Sequence, residues 1–248
     1  PDYPGAMRET IEAATGAPCL FLQGASAELG PVEGYVGDTE IADRNGRQLA
    51  HAALSALESL PAANTRFSYA GPVVSGATLG SWTHIDLPDH ALSSNADWQL
   101  SRHTISLPIR PGTPSAEGVT AELSEWEGKN TPDARAMAER KRRLLYRLKQ
   151  LPAGDVFPLE SIVLRIGGAV WIILQGEFYS VLQTSLRERF PKTPLIIATV
   201  ASHWGASYLP PRELYDTGIY QESIAITAPG SLETVIETIG DKIETLLA

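Results

Sequence analysis

Two polar turns, each directly after an apolar run, hold the side chains whose types could do chemistry. Glu177 follows the run at residues 169–174, and Tyr208 follows the run at residues 195–200, with Tyr220 further along the same loop. A phenol, whose ordinary pKa is about 10, ligates a metal only where the charge of the metal favours the phenolate. Zinc takes about four ligands, some of them usually histidine. A carboxylate and a phenol alone are therefore too few to predict a zinc site.

A strand–helix–strand unit is predicted to position these turns. The apolar runs at 169–174 and 195–200 are strand-like, and residues 178–190 between them have a helical pattern. If the two strands are parallel neighbours, both turns open at the same edge of the sheet, where α/β proteins build their sites. Glu177 and Tyr208 are then expected to lie close together.

Ordinary structural roles would explain the same residue types. An acidic residue at a helix start is stabilised by the helix dipole without any function. A tyrosine after a strand usually packs half-buried with its hydroxyl satisfied. His203 lies near the second turn, but its direction is not given by the sequence. His84, Asp86 and His90 form another conceivable metal site, although such a polar loop is more often plain surface.

Composition is that of an ordinary globular chain and excludes some partners. The chain is 43% hydrophobic and 20% charged, and its 248 residues are enough for one large domain or two small ones and for a full hydrophobic core. A net charge of −9, from 20 basic and 29 acidic residues, argues against nucleic acid as a partner. The single cysteine, Cys19, excludes an internal disulfide, and no apolar run approaches the length of a transmembrane segment.

Helix and strand signals alternate along the chain. Helices are predicted from Pro4 to Gly16, at 38–60, 131–151 and 178–190 and from Ser231 onward, and strands at 19–22, 64–79, 103–110, 156–166, 169–175 and 195–200. Gly167 and Gly168 are predicted to form the hairpin turn between 156–166 and 169–175. Residues 80–101 are predicted to be a polar loop, and residues 111–130 an exposed loop or linker. The predicted fold class is α/β, with a mixed sheet and helices packed on its faces.

Residues around the two turns resemble a known family. Gly176-Glu177-Phe178, followed by the stretches 207–215 and 218–222, is similar to motifs in the catalytic domain of neutral/alkaline ceramidases. The similarity is greater to the ceramidase-like proteins of bacteria. Gln175 stands where that family usually has proline.

This resemblance implies a ceramidase-like catalytic domain, zinc as the cofactor, and a role for each of three residues. Glu177 and Tyr208 match positions that are zinc ligands in the family, and Tyr220 matches a tyrosine that acts in catalysis. The two histidine ligands of the family come from further upstream. Together with the opening at Pro1 without a methionine, this predicts that residues 1–248 are the C-terminal part of one catalytic domain, whose upstream part completes the site.

The resemblance extends to residues 20–31 and departs from the family at the nucleophile. Gly30 stands where true ceramidases have a serine that attacks the amide. Glycine has no side chain, so a serine-type attack from this position is impossible. Ser26 is close by but out of register with the motif.

Three functions are consistent with these residues and with the resemblance. The first is a zinc-dependent hydrolase, an amidohydrolase or esterase, in which water attacks a lipid-like or other small-molecule substrate and Tyr220 hydrogen-bonds the developing oxyanion. The second is a ceramidase-like binding or structural protein that has lost catalysis, which the change at Gly30 favours. The third is a plain α/β domain in which these residues are structural. Retention of Glu177, Tyr208 and Tyr220 together favours the first.

Overall fold

The computed structural model describes residues 2–201 and 205–248, which form helices and strands joined by loops. The helices are α1 (Tyr3–Thr15), α2 (Thr39–Glu58), α3 (Asp89–Asn95), α4 (Ala116–Glu127), α5 (Ala134–Leu148), α6 (Val181–Arg189), α7 (Tyr220–Ile224) and α8 (Ser231–Leu247). The strands are β1 (Thr65–Ser75), β2 (Ala77–Asp86), β3 (Trp98–Pro108), β4 (Val156–Ile166), β5 (Ala169–Leu174), β6 (Glu177–Phe178), β7 (Leu195–Ala198) and β8 (Tyr208–Leu209).

The largest sheet among the described residues is mixed and has four strands, in the order β3-β4-β5-β7. The pairs β3/β4 and β4/β5 are antiparallel, and β5/β7 is parallel. Gly167 and Gly168 form the turn between the paired ends Ile166 and Ala169, so the predicted hairpin is confirmed. The mixed α/β class is confirmed as well.

Buried and partly exposed side chains alternate along the strands, so one face of the sheet lies in the main core. In β5, Val170, Ile172 and Leu174 are fully buried, while the residues between them are partly exposed. Helices α6 and α8 contribute buried side chains to the same cluster, namely Leu182, Leu186, Leu232, Val235, Ile239 and Ile243. Each fully buried side chain of this kind stabilises the fold by about 1.5–3 kcal/mol. This face therefore fixes how α6 and α8 lie on the sheet.

The segment after α1 does not form the strand predicted at residues 19–22. No strand is present there, and Leu20 is 85% exposed. The backbone of Cys19 bonds to side chains of α1 instead: its N–H donates to the Glu12 carboxylate at 2.9 Å, and its carbonyl accepts from Arg8 Nε at 2.8 Å. Because these backbone groups have partners on α1, the segment needs no neighbouring strand.

Two stretches predicted to be loops contain regular structure. Residues 80–101 include the second half of β2, all of α3 and the start of β3. The exposed loop or linker predicted at 111–130 is corrected to helix α4, whose residues are mostly exposed. The Ser115 hydroxyl caps α4 by accepting from Gly118 N–H at 3.1 Å, and Glu127 pairs with Arg142 of α5 at 2.6 Å. Among the described residues, no helix is long and apolar enough to cross a membrane.

Truncation of a buried leucine in the four-stranded sheet is expected to lower the free energy of unfolding far more than truncation of a surface leucine. Leu159→Ala removes a fully buried side chain of β4 and should lower the free energy of unfolding by about 2–5 kcal/mol. Leu57→Ala, at a residue of α2 that is 48% exposed, should lower it by about 0.5 kcal/mol or less. Urea denaturation followed by circular dichroism measures both, and equal losses would contradict the assignment of the buried face.

Candidate active site

The two polar turns meet directly beyond the ends of β5 and β7. Because those strands are parallel neighbours, the chain leaves both at the same edge of the sheet. Strands β6 and β8 then pair in parallel, which places Glu177 opposite Tyr208. The Glu177 N–H donates to the Ser207 carbonyl at 2.7 Å. The expected proximity of Glu177 and Tyr208 is therefore present in the structure.

Unusual backbone conformations make this close pairing possible. Gly176 has φ +93°, and a Cβ added to it would lie 3.0 Å from the Ser207 carbonyl oxygen. Val200 and Ser207 also have positive φ, at +56° and +61°. For a β-branched residue such as valine this conformation is a true outlier, and such strain concentrates at functional sites. Residues 202–204, which include His203, lie outside the described residues.

Tyr208 is half-buried and lies between two partners. Its ring meets the ring of Tyr220 edge-on, with 5.9 Å between the ring centroids. Burial, followed by a hydrogen bond to the Glu177 carboxylate and the negative charge of that group, raises the pKa of the Tyr208 hydroxyl above its ordinary value. The positive charge of Arg147 acts in the opposite direction on the same pKa. The three residues Glu177, Tyr208 and Tyr220 thus form one contiguous group.

An ion pair anchors the turn that carries Tyr220. Glu222, on the same helix α7, accepts from Arg110 Nη2 at 2.6 Å and from Gly218 N–H at 3.0 Å. Gln221 Nε2 donates to the Ala27 carbonyl at 3.2 Å. These contacts tie α7 to the end of β3 on one side and to residues 23–30 on the other. The Tyr220 side chain itself is 63% exposed.

Residues 23–30 run beside β6, where backbone bonds hold them. Ala27 N–H donates to the Phe178 carbonyl at 2.9 Å. Ser26 lies in this segment, and its hydroxyl accepts from Gln23 Nε2 at 2.5 Å and donates to the Gly24 carbonyl at 3.2 Å. A serine nucleophile needs a general base at its hydroxyl. The proton of Ser26 is directed at a backbone carbonyl, so this geometry does not make Ser26 a nucleophile.

Position 30 is covered by a tyrosine. A Cβ added to Gly30 would lie 2.8 Å from the hydroxyl oxygen of Tyr35. Tyr35 is almost fully exposed and has φ +61°. A serine at position 30 would displace only the end of the exposed Tyr35 side chain, so this contact alone does not require glycine there.

An open cleft of about 1630 Å³ lies between these segments. Glu177, Tyr208 and Tyr220 lie in its wall together with Ser26, Gly30 and Tyr35. Pockets for drug-sized ligands are about 300–1,000 Å³. The cleft is therefore large enough for an extended substrate.

The donor set fits part of a metal site. Glu177 supplies carboxylate oxygens and Tyr208 a phenolic oxygen, both lining the same cleft. Residues 2–201 and 205–248 contain no group of three or more His, Cys, Asp and Glu side chains that could hold a metal. The metal site that is conceivable from the sequence at His84, Asp86 and His90 is therefore not formed in the structure. The His84 ring instead packs edge-on against Phe67, with 4.8 Å between the ring centroids.

Sequence reasoning missed two arginines near this site. Arg110 anchors the Tyr220 turn, as described above, and Arg147 of α5 lies close enough to Tyr208 to affect its pKa. The Nη1 atom of Arg147 is buried and has no hydrogen-bond partner. Arg147 follows the basic run at 140–143, which has the pattern of a solvated helix face, so no local signal distinguished it.

The Gly176→Ala substitution is expected to destabilise the protein more than Gly154→Ala does, although both glycines have a positive φ. Gly154 also has a positive φ, +105°, but no atom lies within 4 Å of a Cβ added there. Gly154→Ala should therefore cost only the backbone strain, about 1–2 kcal/mol. Gly176→Ala should cost more, because its methyl group meets Ser207. Thermal unfolding of both variants measures the difference, and equal losses would contradict the close packing.

The Glu222–Arg110 pair is expected to make stability depend on pH. Hydrogen bonds from Arg110 and from backbone N–H groups lower the pKa of Glu222. A carboxyl group whose pKa is lowered by folding stabilises the protein above its unfolded pKa, and this contribution is lost as the pH falls through the folded pKa. Glu222→Gln should therefore lower the melting temperature at pH 7, and the difference from wild type should shrink below about pH 4.

Glu237→Gln, at an exposed position of α8, provides the matched control for that measurement. Its melting temperature should follow wild type across the same pH range. A Glu222→Gln deficit that stays constant down to about pH 3 would show that the carboxylate charge is not what stabilises the turn.

Comparisons with known proteins give a remote structural similarity. No protein-family model matches this chain, and no curated protein does. Among solved structures, a crystal structure of neutral ceramidase from Pseudomonas aeruginosa is similar, with a TM-score of 0.49 and 15% sequence identity. The match covers 96% of this chain and 39% of that one, so the chain spans about two-fifths of that protein. A similarity at this level supports no statement about activity.

Proposed function

We propose that this chain supplies part of the active site of a zinc-dependent hydrolase that cleaves an amide or ester bond. The observation that carries the proposal is the pairing of Glu177 with Tyr208 and the contact of Tyr208 with Tyr220, all in the wall of one cleft. The motifs at 176–178, 207–215 and 218–222, which resemble those of ceramidases, support the same function.

Glu177 and Tyr208 are the residues that would hold zinc. Since zinc takes about four ligands, two more are needed. We propose that they are histidines from an upstream part of the same catalytic domain. The sheet supports such a partner, because its second face is also apolar and only partly covered, with Ile162, Leu164, Trp171, Ile173 and Ile196. Sheets that are apolar on both faces are normally covered on both.

Bound zinc would supply Lewis-acid polarisation of the carbonyl and activation of water. Because Gly30 offers no hydroxyl, water is the nucleophile in this proposal. Its oxygen bonds to the carbonyl carbon, the C–N or C–O bond breaks, and a proton passes to the leaving nitrogen or oxygen. The products are a carboxylic acid and an amine or alcohol. Tyr220 donates a hydrogen bond to the oxyanion that develops on the carbonyl oxygen.

The cleft favours a substrate with an apolar chain. Part of its wall is apolar, with Leu29, Val32, Val36, Ile41 and Leu49, and another part carries the acidic side chains of Asp2, Glu28, Glu33, Asp38 and Asp43. Small-molecule sites commonly combine apolar side chains with polar groups. A lipid-like amide or ester would place its chain along this wall and its carbonyl near Tyr220.

The second candidate is a binding protein without catalysis. Gly30 favours it, because the position at which ceramidases have their serine nucleophile carries no side chain here. A binding protein would need neither zinc nor the Tyr220 hydroxyl for ligand affinity, and that difference separates the two functions.

Metal content of the full-length protein tests the zinc ligands. Elemental analysis should find about one zinc per chain, and Glu177→Ala and Tyr208→Phe should each lose most of it. Glu188→Ala, at an exposed position of α6, should keep it. The absence of zinc from a well-folded wild type would refute the hydrolase, and zinc that survives Glu177→Ala would place the metal elsewhere.

Tyr220→Phe is expected to separate catalysis from metal binding. Loss of one oxyanion donor should lower kcat by about 10²–10³ while the zinc content stays unchanged. Tyr146→Phe, at a residue of α5 that is 63% exposed, should leave both as in wild type. Hydrolysis of fatty amides and esters with different chain lengths measures kcat. Zinc without any hydrolysis, together with tight binding of the same lipids, would favour the binding protein.

A further inference from the structure

Residues 23–28 form a strap beside the candidate site, and the end of β7 holds the beginning of this strap. Thr199, which directly follows β7 and is 3% exposed, donates its N–H to the Gln23 carbonyl at 2.7 Å and its hydroxyl to the Gly24 carbonyl at 2.9 Å. Ala25, in the middle of the strap, is buried in the main hydrophobic cluster. The strap is therefore fixed to the core of the molecule at this end.

The other end of the strap bonds to residues that adjoin the candidate site. Ala27 N–H donates to the Phe178 carbonyl at 2.9 Å, and the Ala27 carbonyl accepts from Gln221 Nε2 at 3.2 Å. Phe178 directly follows Glu177, and Gln221 directly follows Tyr220. One residue of the strap thus links the turn that carries Glu177 to the helix that carries Tyr220.

Glu28 at the end of the strap caps helix α6. Its two carboxylate oxygens accept from Ser180 N–H at 2.9 and 3.0 Å, and Oε1 also accepts from the Ser180 hydroxyl. Ser180 is the N-cap residue of α6, and its own side chain does not cap the helix backbone. Hydrogen bonds to an ionised carboxylate are stronger than neutral ones, and the helix dipole favours a negative charge at this end. A carboxylate 152 residues away in the chain therefore acts as the cap.

We propose that Glu28 is a positioning residue of the candidate site. By holding Ser180, it fixes the turn between Glu177 and α6 against the strap, and so keeps Glu177 opposite Tyr208. The Glu28 carboxylate acts on Ser180 and not on the metal or the substrate. The inference deepens the proposed function, and it rests on that function only where zinc is the readout.

Hydrogen exchange with mass spectrometry on the full-length protein tests the inference without reference to zinc. In Glu28→Ala, peptides that cover residues 175–182 should exchange about fivefold faster, because the cap of α6 is lost and this turn opens locally. Peptides from β4 should exchange as in wild type. Glu125→Ala, at an exposed position of α4, is the control and should leave both regions unchanged.

Two further variants separate positioning from a general loss of stability. Glu28→Gln keeps an oxygen that can accept from Ser180 N–H, so it should restore most of the wild-type protection. Ser180→Ala removes the hydroxyl donor but keeps the N–H, so it should accelerate exchange of residues 175–182 less than Glu28→Ala does. Circular dichroism verifies folding, and these two milder variants decide the matter if Glu28→Ala does not fold.

Zinc affinity, measured by competition with a chelator, tests whether the strap positions the proposed ligands. Glu28→Ala should raise the Kd for zinc about fivefold, and Glu28→Gln should return it close to the wild-type value. An unchanged Kd in a Glu28→Ala protein with faster exchange would overturn the positioning role.

The exchange data alone can also overturn the inference. Unchanged exchange of residues 175–182 in Glu28→Ala would do so, as would equal acceleration in β4 or a Glu28→Gln protein that exchanges as fast as Glu28→Ala. A wild type without zinc would refute the proposed hydrolase, whereas the exchange of residues 175–182 would still decide whether Glu28 positions the turn.

Discussion

The parallel pairing of β5 with β7 is the constraint on which the candidate site depends. It sends the chain out of both strands at one edge of the sheet, and the same direction of pairing continues into β6 and β8, where Glu177 meets Tyr208. The register is held from the core side, because Val170, Ile172 and Leu174 are fully buried. A slip of one residue would turn those side chains to the opposite face, so hydrophobic burial indirectly fixes the position of Glu177.

Polar contacts position Tyr220, the residue of the candidate site that the main sheet does not hold. Tyr220 follows a loop that no strand of the main sheet holds, and its position depends on Arg110, at the end of β3, pairing with Glu222. Nearby, the Tyr215 hydroxyl donates to the Thr227 carbonyl at 3.0 Å and secures the base of the same loop. Buried polar groups of this kind are costly when unpaired and directional when paired. They therefore hold a loop in one conformation where apolar packing alone would permit several.

Two surfaces of the protein expose apolar side chains. The cleft combines an apolar part with several acidic side chains and with Glu177, Tyr208 and Tyr220, which suits a ligand that has both apolar and polar parts. The hairpin β1–β2 exposes Val74 and Trp82, and no other described helix or strand packs extensively against it. Large exposed apolar patches are uncommon on monomeric soluble proteins and mark sites of interaction.

The spacing of apolar residues, together with glycine and other turn-forming residues, determined the helices α1, α2, α6 and α8 and the hairpin at Gly167-Gly168. The same signals determined the strand–helix–strand unit that brings Glu177 near Tyr208. Those features depend on neighbours in the chain, on burial of one face, and on residues such as Gly16 that end a helix. The tertiary structure alone decided the rest. Cys19 lies outside any strand because side chains of α1 bond its backbone, and β2 exists because β1 pairs with it. Likewise, Arg110 and Glu222 are far apart in the chain, and Arg147 reaches Tyr208 only in the folded molecule. Hydrogen bonds and charges act through space, so their partners leave no periodic signal in the sequence.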